Sequence, residues 1–96
     1  MINLRITNKE NVSREIETEW ADLVAFENKF DMPFQRIFGD GKEIRIQYTT
    51  WLAHQYELRT NKTDKNFEEW LQNVRIVTFV GIADVPPLET TQSKEK

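Results

Sequence analysis

Ile2, Leu4 and Ile6 alternate with Asn3, Arg5 and Thr7. This period of two predicts a strand with one buried face. Asn8-Lys9-Glu10-Asn11 is polar and turn-forming, so Val12 to Glu17 is read as the returning strand of a hairpin. A lone hairpin is barely stable in water and needs a layer to pack on. The spacing then turns helical. Trp20, Leu23, Val24 and Phe30 fall near one face, widened by Ala21, Ala25 and Phe26. Thr18 is placed to cap this helix, with Glu19 and Asp22 in its first turns suiting the dipole. Asp31-Met32-Pro33 interrupts it. Pro33 can open a short second helix to Phe38, with Phe34, Ile37 and Phe38 on its apolar side.

Gly39-Asp40-Gly41 breaks the chain again and is read as a turn. Glu43 to Arg59 reads as the longest helix, because Ile44, Tyr48, Trp51, Leu52, Gln55 and Tyr56 recur at steps of three and four. Ile44, Ile46 and Tyr48 also alternate, so a strand is an alternative for its first residues. Thr60 to Lys65 is a polar loop. Asn66 and Glu69 form a reciprocal capping box, and Phe67, Trp70, Leu71 and Val74 follow on one face of a helix over 66–74. This helix should pack on the previous one. Ile76 to Val80 is β-branched and aromatic, read as an edge strand or an extended arm ended by Gly81. Asp84 to Lys96, with Pro86-Pro87 and then polar residues, lacks the apolar content for a core and is expected to be mobile.

The expected fold class is therefore α+β. An N-terminal β-hairpin packs on a small bundle of three or four helices in one globular domain, 1–83, followed by a flexible tail, 84–96. Composition agrees: the 96 residues are 39% hydrophobic and 30% charged, and six Phe, three Trp and two Tyr are too many for a solvated tail. Trp20, Trp51 and Trp70 each lie on an apolar helix face, which favours core packing.

Absence of cysteine excludes a disulfide framework, a thiolate metal site and a Cys nucleophile. No apolar run reaches the ~18–20 residues of a membrane span. Asn3 and Arg5 break up any signal-peptide core, so a cytoplasmic location and no membrane partner are expected. Net charge is −3, divided as −3 over residues 1–31, +2 over 32–62 and −2 over 63–96. The acidic balance argues against nucleic acid, and the basic middle could orient a protein partner.

Catalytic signals are thin. His54 is the only histidine, and either a base or a metal role would need partners. Glu68 and Glu69 are adjacent, so on a helix they do not converge as a catalytic pair. Ser13 and Ser93 have no nucleophile setting. The glycine turn lacks the Lys and Ser/Thr of a phosphate loop. No enzyme, cofactor or metal is expected. The better candidate is an aromatic surface beside basic residues, suited to protein recognition: Phe34, Phe38, Tyr48, Trp51 and Tyr56, with Arg36, Arg45 and Arg59.

The order of segments resembles a known family. A hairpin leads into Asp22-Leu23-Val24-Ala25-Phe26-Glu27, then Pro33-Phe34, then Trp51-Leu52-Ala53 ending near Leu58-Arg59-Thr60, then Phe67-Glu68-Glu69-Trp70-Leu71, a Val-rich exit and a Pro/Thr/Gln tail. Over residues 1–92 it looks like the small tail assembly chaperones of long-tailed bacteriophages, encoded just before the tape measure protein. The resemblance implies a non-enzymatic role in the host cytoplasm. Such chaperones coat the hydrophobic tape measure protein, then leave as the tail tube polymerises. It also implies a longer frameshifted form, for which the end of this chain suits a junction. Weak homo-oligomerisation would let copies line up along the client. Two other readings stay open: a structural virion protein, such as a head–tail connector or tail completion subunit, and a small acidic phage inhibitor of a host enzyme.

Overall fold

A computed structural model describes residues 1–39 and 44–82. The elements run β1 (Ile2–Asn8), β2 (Ser13–Glu17), α1 (Trp20–Phe30), α2 (Phe34–Phe38), α3 (Ile46–Arg59), α4 (Phe67–Leu71) and β3 (Val74–Ile82). The class is α+β, with a three-stranded antiparallel sheet in the order β2-β1-β3. The expected hairpin is β1–β2. Its turn is fastened by Asn8, whose Oδ1 accepts the amides of Glu10 at 2.9 Å and Val12 at 3.0 Å. Asn11 takes a positive φ of 66°, which asparagine tolerates better than most residues.

The period-two pattern of β1 is realised fully. Ile2, Leu4 and Ile6 are entirely buried against the helices, and Ile16 is the single buried residue of β2. The segment from Ile76 onward is a strand, and it pairs with β1 on the side opposite β2. β1 is therefore central, and the two ends of the described chain meet across it. Val77 and Phe79 point inward opposite Ile6 and Leu4. Gly81 does not end this strand, which runs on to Ile82.

Four helices cover the sheet's inner face. Phe26 is their common centre, wholly buried, with Phe30, Phe38, Tyr48 and Trp51 around it at ring-centroid distances of 4.8, 5.5, 5.7 and 6.5 Å. Tilted and edge-on pairs of this kind add attraction beyond burial. Helix α2 is held to α1 by Glu27, whose side chain accepts the Phe34 amide at 2.9 Å. It ends at Gly39, where a Cβ would collide with the Gln35 carbonyl oxygen.

Several expectations shift. Thr18 does not cap α1; it is fully buried, and its hydroxyl donates to the Ile2 carbonyl oxygen while accepting the Ile2 amide. Glu19 is the cap residue instead, with its amide donating to Asp22 Oδ2. The buried side of α1 is Asp22, Leu23 and Phe26, leaving Trp20 and Val24 outside. Helix α3 starts at Ile46, and Ile46 is 84% exposed. Helix α4 is one short turn, because Val74 already belongs to β3. The Asn66 side chain caps it, accepting the Glu69 amide at 2.8 Å, but the return bond from the Asn66 amide to the Glu69 side chain that would complete the expected capping box is not formed. Asp40, Gly41, Glu43 and the tail from Asp84 lie outside the described residues.

Phe26→Ala should lower the unfolding free energy by about 3–5 kcal/mol, the usual loss for a buried phenylalanine. Val12→Ala, at an exposed site, should change it by less than about 0.5 kcal/mol. Urea denaturation of both variants measures the contrast.

Candidate functional site

The eight residues expected to form an aromatic and basic surface do not come together. Phe34, Phe38 and Tyr48 are buried in the core, because a chain this short needs nearly every large ring to close its interior. Phe38 and Tyr48 present no surface, and Phe34, 4% exposed, shows only an edge of its ring, at the groove between α1 and α2. Trp51 and Tyr56 are half-buried. The Trp51 ring packs edge-on to Phe30 at 5.7 Å. Arg36 and Arg45 are exposed, on α2 and at the start of α3. Arg59 is engaged within the fold.

Arg59 clamps α3 to α1. Its Nε and Nη2 donate to Asp22 Oδ1 and Oδ2 at 2.7 and 3.0 Å, and Glu19 lies 3.5 Å away. Asp22 is completely buried. The guanidinium also sits over the Tyr56 ring, 5.7 Å from its centroid. Hydrogen bonding to Asp22 raises the Arg59 pKa above the ordinary arginine value, against an opposing push from burial. The folded chain therefore holds this proton more tightly than the unfolded one. Its stabilisation is complete below the ordinary arginine pKa and is lost only as pH climbs through the higher folded value.

A second buried acid, Glu57, was not singled out by any motif. It lies at the edge of a cleft of about 300 Å³ that Arg14, Lys62, Lys65 and Trp70 also line. Arg14 of β2 donates to Glu57 Oε2 from Nε at 2.9 Å and Nη2 at 2.6 Å. The Trp70 indole donates to Oε1 at 3.0 Å. With three donors upon it, this carboxylate acts as a structural acceptor that joins α3, α4 and β2. His54, one turn earlier on α3, is buried beside it. Its Nε2 lies 2.8 Å from the Lys65 carbonyl oxygen. A carbonyl only accepts, so Nε2 carries a proton. The His54 ring packs against Phe67 and Trp70 at 5.4 and 5.1 Å. The ring is interior rather than on the helix surface. Among the described residues, no group of three or more His, Asp or Glu is arranged to hold a metal ion.

The accessible apolar surface lies elsewhere. On α1, Trp20 is 43% exposed and Val24 46% exposed. With Leu23, Glu27 and Phe34 they line a shallow groove of about 200 Å³ between α1 and α2. Along β3, Ile76 and Val80 are exposed. The over-wide stripe on α1 held the signal for the first surface: Trp20, Ala21, Leu23, Val24, Ala25, Phe26 and Phe30 exceed what one buried helix face can hold. Among the described residues, no helix is long and apolar enough to cross a membrane.

No protein-family model matches the chain, and neither the curated proteins nor the solved structures yield a match.

Arg59→Ala should destabilise the fold by about 3 kcal/mol, since it strips a buried carboxylate of its charge partner. Arg59→Lys should restore only part, because an ammonium cannot offer two parallel donors. Chemical denaturation at neutral pH distinguishes the three proteins.

Proposed function

We propose that this chain is a non-enzymatic protein-binding protein, a tail assembly chaperone of a long-tailed bacteriophage that keeps the tape measure protein soluble before the tail tube forms. The segment order described above supports the family. The observation that carries the binding mode is the open apolar groove of Trp20, Leu23, Val24 and Phe34, with Glu27 on its wall. Its occupant on this reading is one turn of an amphipathic client helix. Apolar anchors enter the groove, and Lys or Arg of the client meets Glu27 and the exposed Glu19. A groove of about 200 Å³ admits only a side chain or two, so each contact is weak. Weak single contacts suit a chaperone that must be displaced, and many copies along one long client hold it by avidity. Net charge of −3 helps keep the loaded client dispersed.

Co-expression with a tape measure protein encoded directly downstream tests the reading. The client should be soluble with this chain, and should precipitate with Val24→Asp, whose own melting temperature should stay within a few degrees because Val24 is half outside the fold. Equal client solubility without the chain would overturn the proposal. Recovery of the chain as a stoichiometric part of purified virions would favour the structural virion reading instead.

A further inference from the structure

The cleft of about 300 Å³ beside Glu57 carries more positive charge than the fold consumes. It opens where β1 ends at Asn8, β2 begins near Arg14 and β3 begins at Val74. The loop that follows α3 brings Lys62, Thr63 and Lys65 to its wall. Glu57 is fully engaged: Oε2 accepts two bonds from Arg14, and Oε1 accepts the Trp70 indole. Arg14 cancels that charge through Nε and Nη2, which leaves Nη1 outside the contact on a side chain 46% exposed. Lys62 and Lys65 are exposed, and among the described residues neither forms an ion pair. Asp64 lies between them in sequence but not on the wall. The other acid on the wall is Glu10, at the hairpin turn. Two lysines against one glutamate leave the cleft positive, in a chain whose net charge is −3.

The loop is fixed before any ligand arrives. The amides of Lys62 and Thr63 both donate to the Glu57 carbonyl oxygen, at 2.8 and 3.3 Å. The Lys65 amide donates to the Thr63 hydroxyl at 3.2 Å, and His54 Nε2 donates to the Lys65 carbonyl oxygen at 2.8 Å. Backbone held in this way loses little further freedom on binding.

We propose that this cleft binds a small phosphate monoester. The phosphate sits between the ammonium groups of Lys62 and Lys65 and Nη1 of Arg14, and the Thr63 hydroxyl donates to it. Donors outnumber open acceptors here, which selects an anion. Three cations around one point favour a dianion with several acceptor oxygens over a single carboxylate. Glu57 takes no part, because its oxygens already hold three donors. The carbon body of the ester meets Val74 and Trp70 on the wall. A volume of about 300 Å³ is at the small end of ligand sites, so the ester is compact. The inference rests on this cleft alone and does not depend on the chaperone reading, whose groove lies between α1 and α2.

Glycerol phosphate is the probe, titrated into the isotope-labelled full chain at constant ionic strength and followed by amide NMR. The amides of Lys62, Thr63, Lys65 and Asn73 and the Trp70 indole should shift together and saturate, with a Kd of about 1 mM. Lys62→Gln combined with Lys65→Gln should weaken binding at least about tenfold, because two charge-assisted contacts are lost. Its melting temperature should stay within a few degrees, since both side chains are exposed. Lys29→Gln, on α1 and outside the cleft, should leave binding unchanged, and Glu10→Gln should tighten it roughly twofold. Glycerol should shift nothing, and succinate should bind more weakly than the phosphate ester. Shifts that do not saturate, shifts scattered over other lysines, succinate binding as tightly, or a double variant that binds like the parent would overturn the proposal. Should the double variant fail to fold, the shift map of the unaltered chain decides.

Discussion

Among the described residues two carboxylates lie in the interior, and a buried charge is tolerated only where a partner and hydrogen bonds replace its water. Asp22 and Glu57 meet that condition through Arg59 and Arg14, and both do so through α3. Arg59 leaves α3 to reach Asp22 on α1; Glu57 stays on α3 and draws in Arg14 from β2 and Trp70 from α4. Moving α3 would strand one acid or the other. Its position fixes the depth of α1, the seat of α4 and the side of the sheet that is covered. The remaining fit is aromatic: Phe26 sits where α1, α2 and α3 meet, and its neighbours hold one another in tilted contacts.

This economy shapes the surface. A core assembled from Phe26, Phe34, Phe38, Tyr48 and Trp70 leaves few rings for recognition. What remains outside comes from elements with more apolar residues than one face can bury. Helix α1 is wider in apolar residues than its contact with α3, so Trp20 and Val24 spill outward. Strand β3 is apolar on both faces; Val74, Val77 and Phe79 pack against the core, and Ile76 and Val80 are left to solvent. The groove at α1 is small, about 200 Å³. The two buried acids are occupied by the fold, and the lone histidine is fixed between aromatic rings and a carbonyl oxygen.

The sequence by itself determined the α+β class, the hairpin and its turn, the breaks at Pro33 and Gly39, and the Asn66 cap. Each is written in short-range terms: alternation for β1, three-and-four spacing for the helices, a side chain reaching an amide a few residues away. Which residues of an amphipathic stretch face inward was not written there. Seven apolar positions on α1 compete for one buried face, and a polar residue, Asp22, took part of it because Arg59 waits across the contact. Thr18 became an internal bridge to Ile2, although its local setting suits a helix cap equally well. Glu57 could not be recognised as interior, since its partners are Arg14 and Trp70, distant along the chain. The pairing of β3 with β1 and the burial of Phe34, Phe38 and Tyr48 were likewise decided only on folding. These are contacts between remote segments, and local periodicity carries no record of which surfaces will meet.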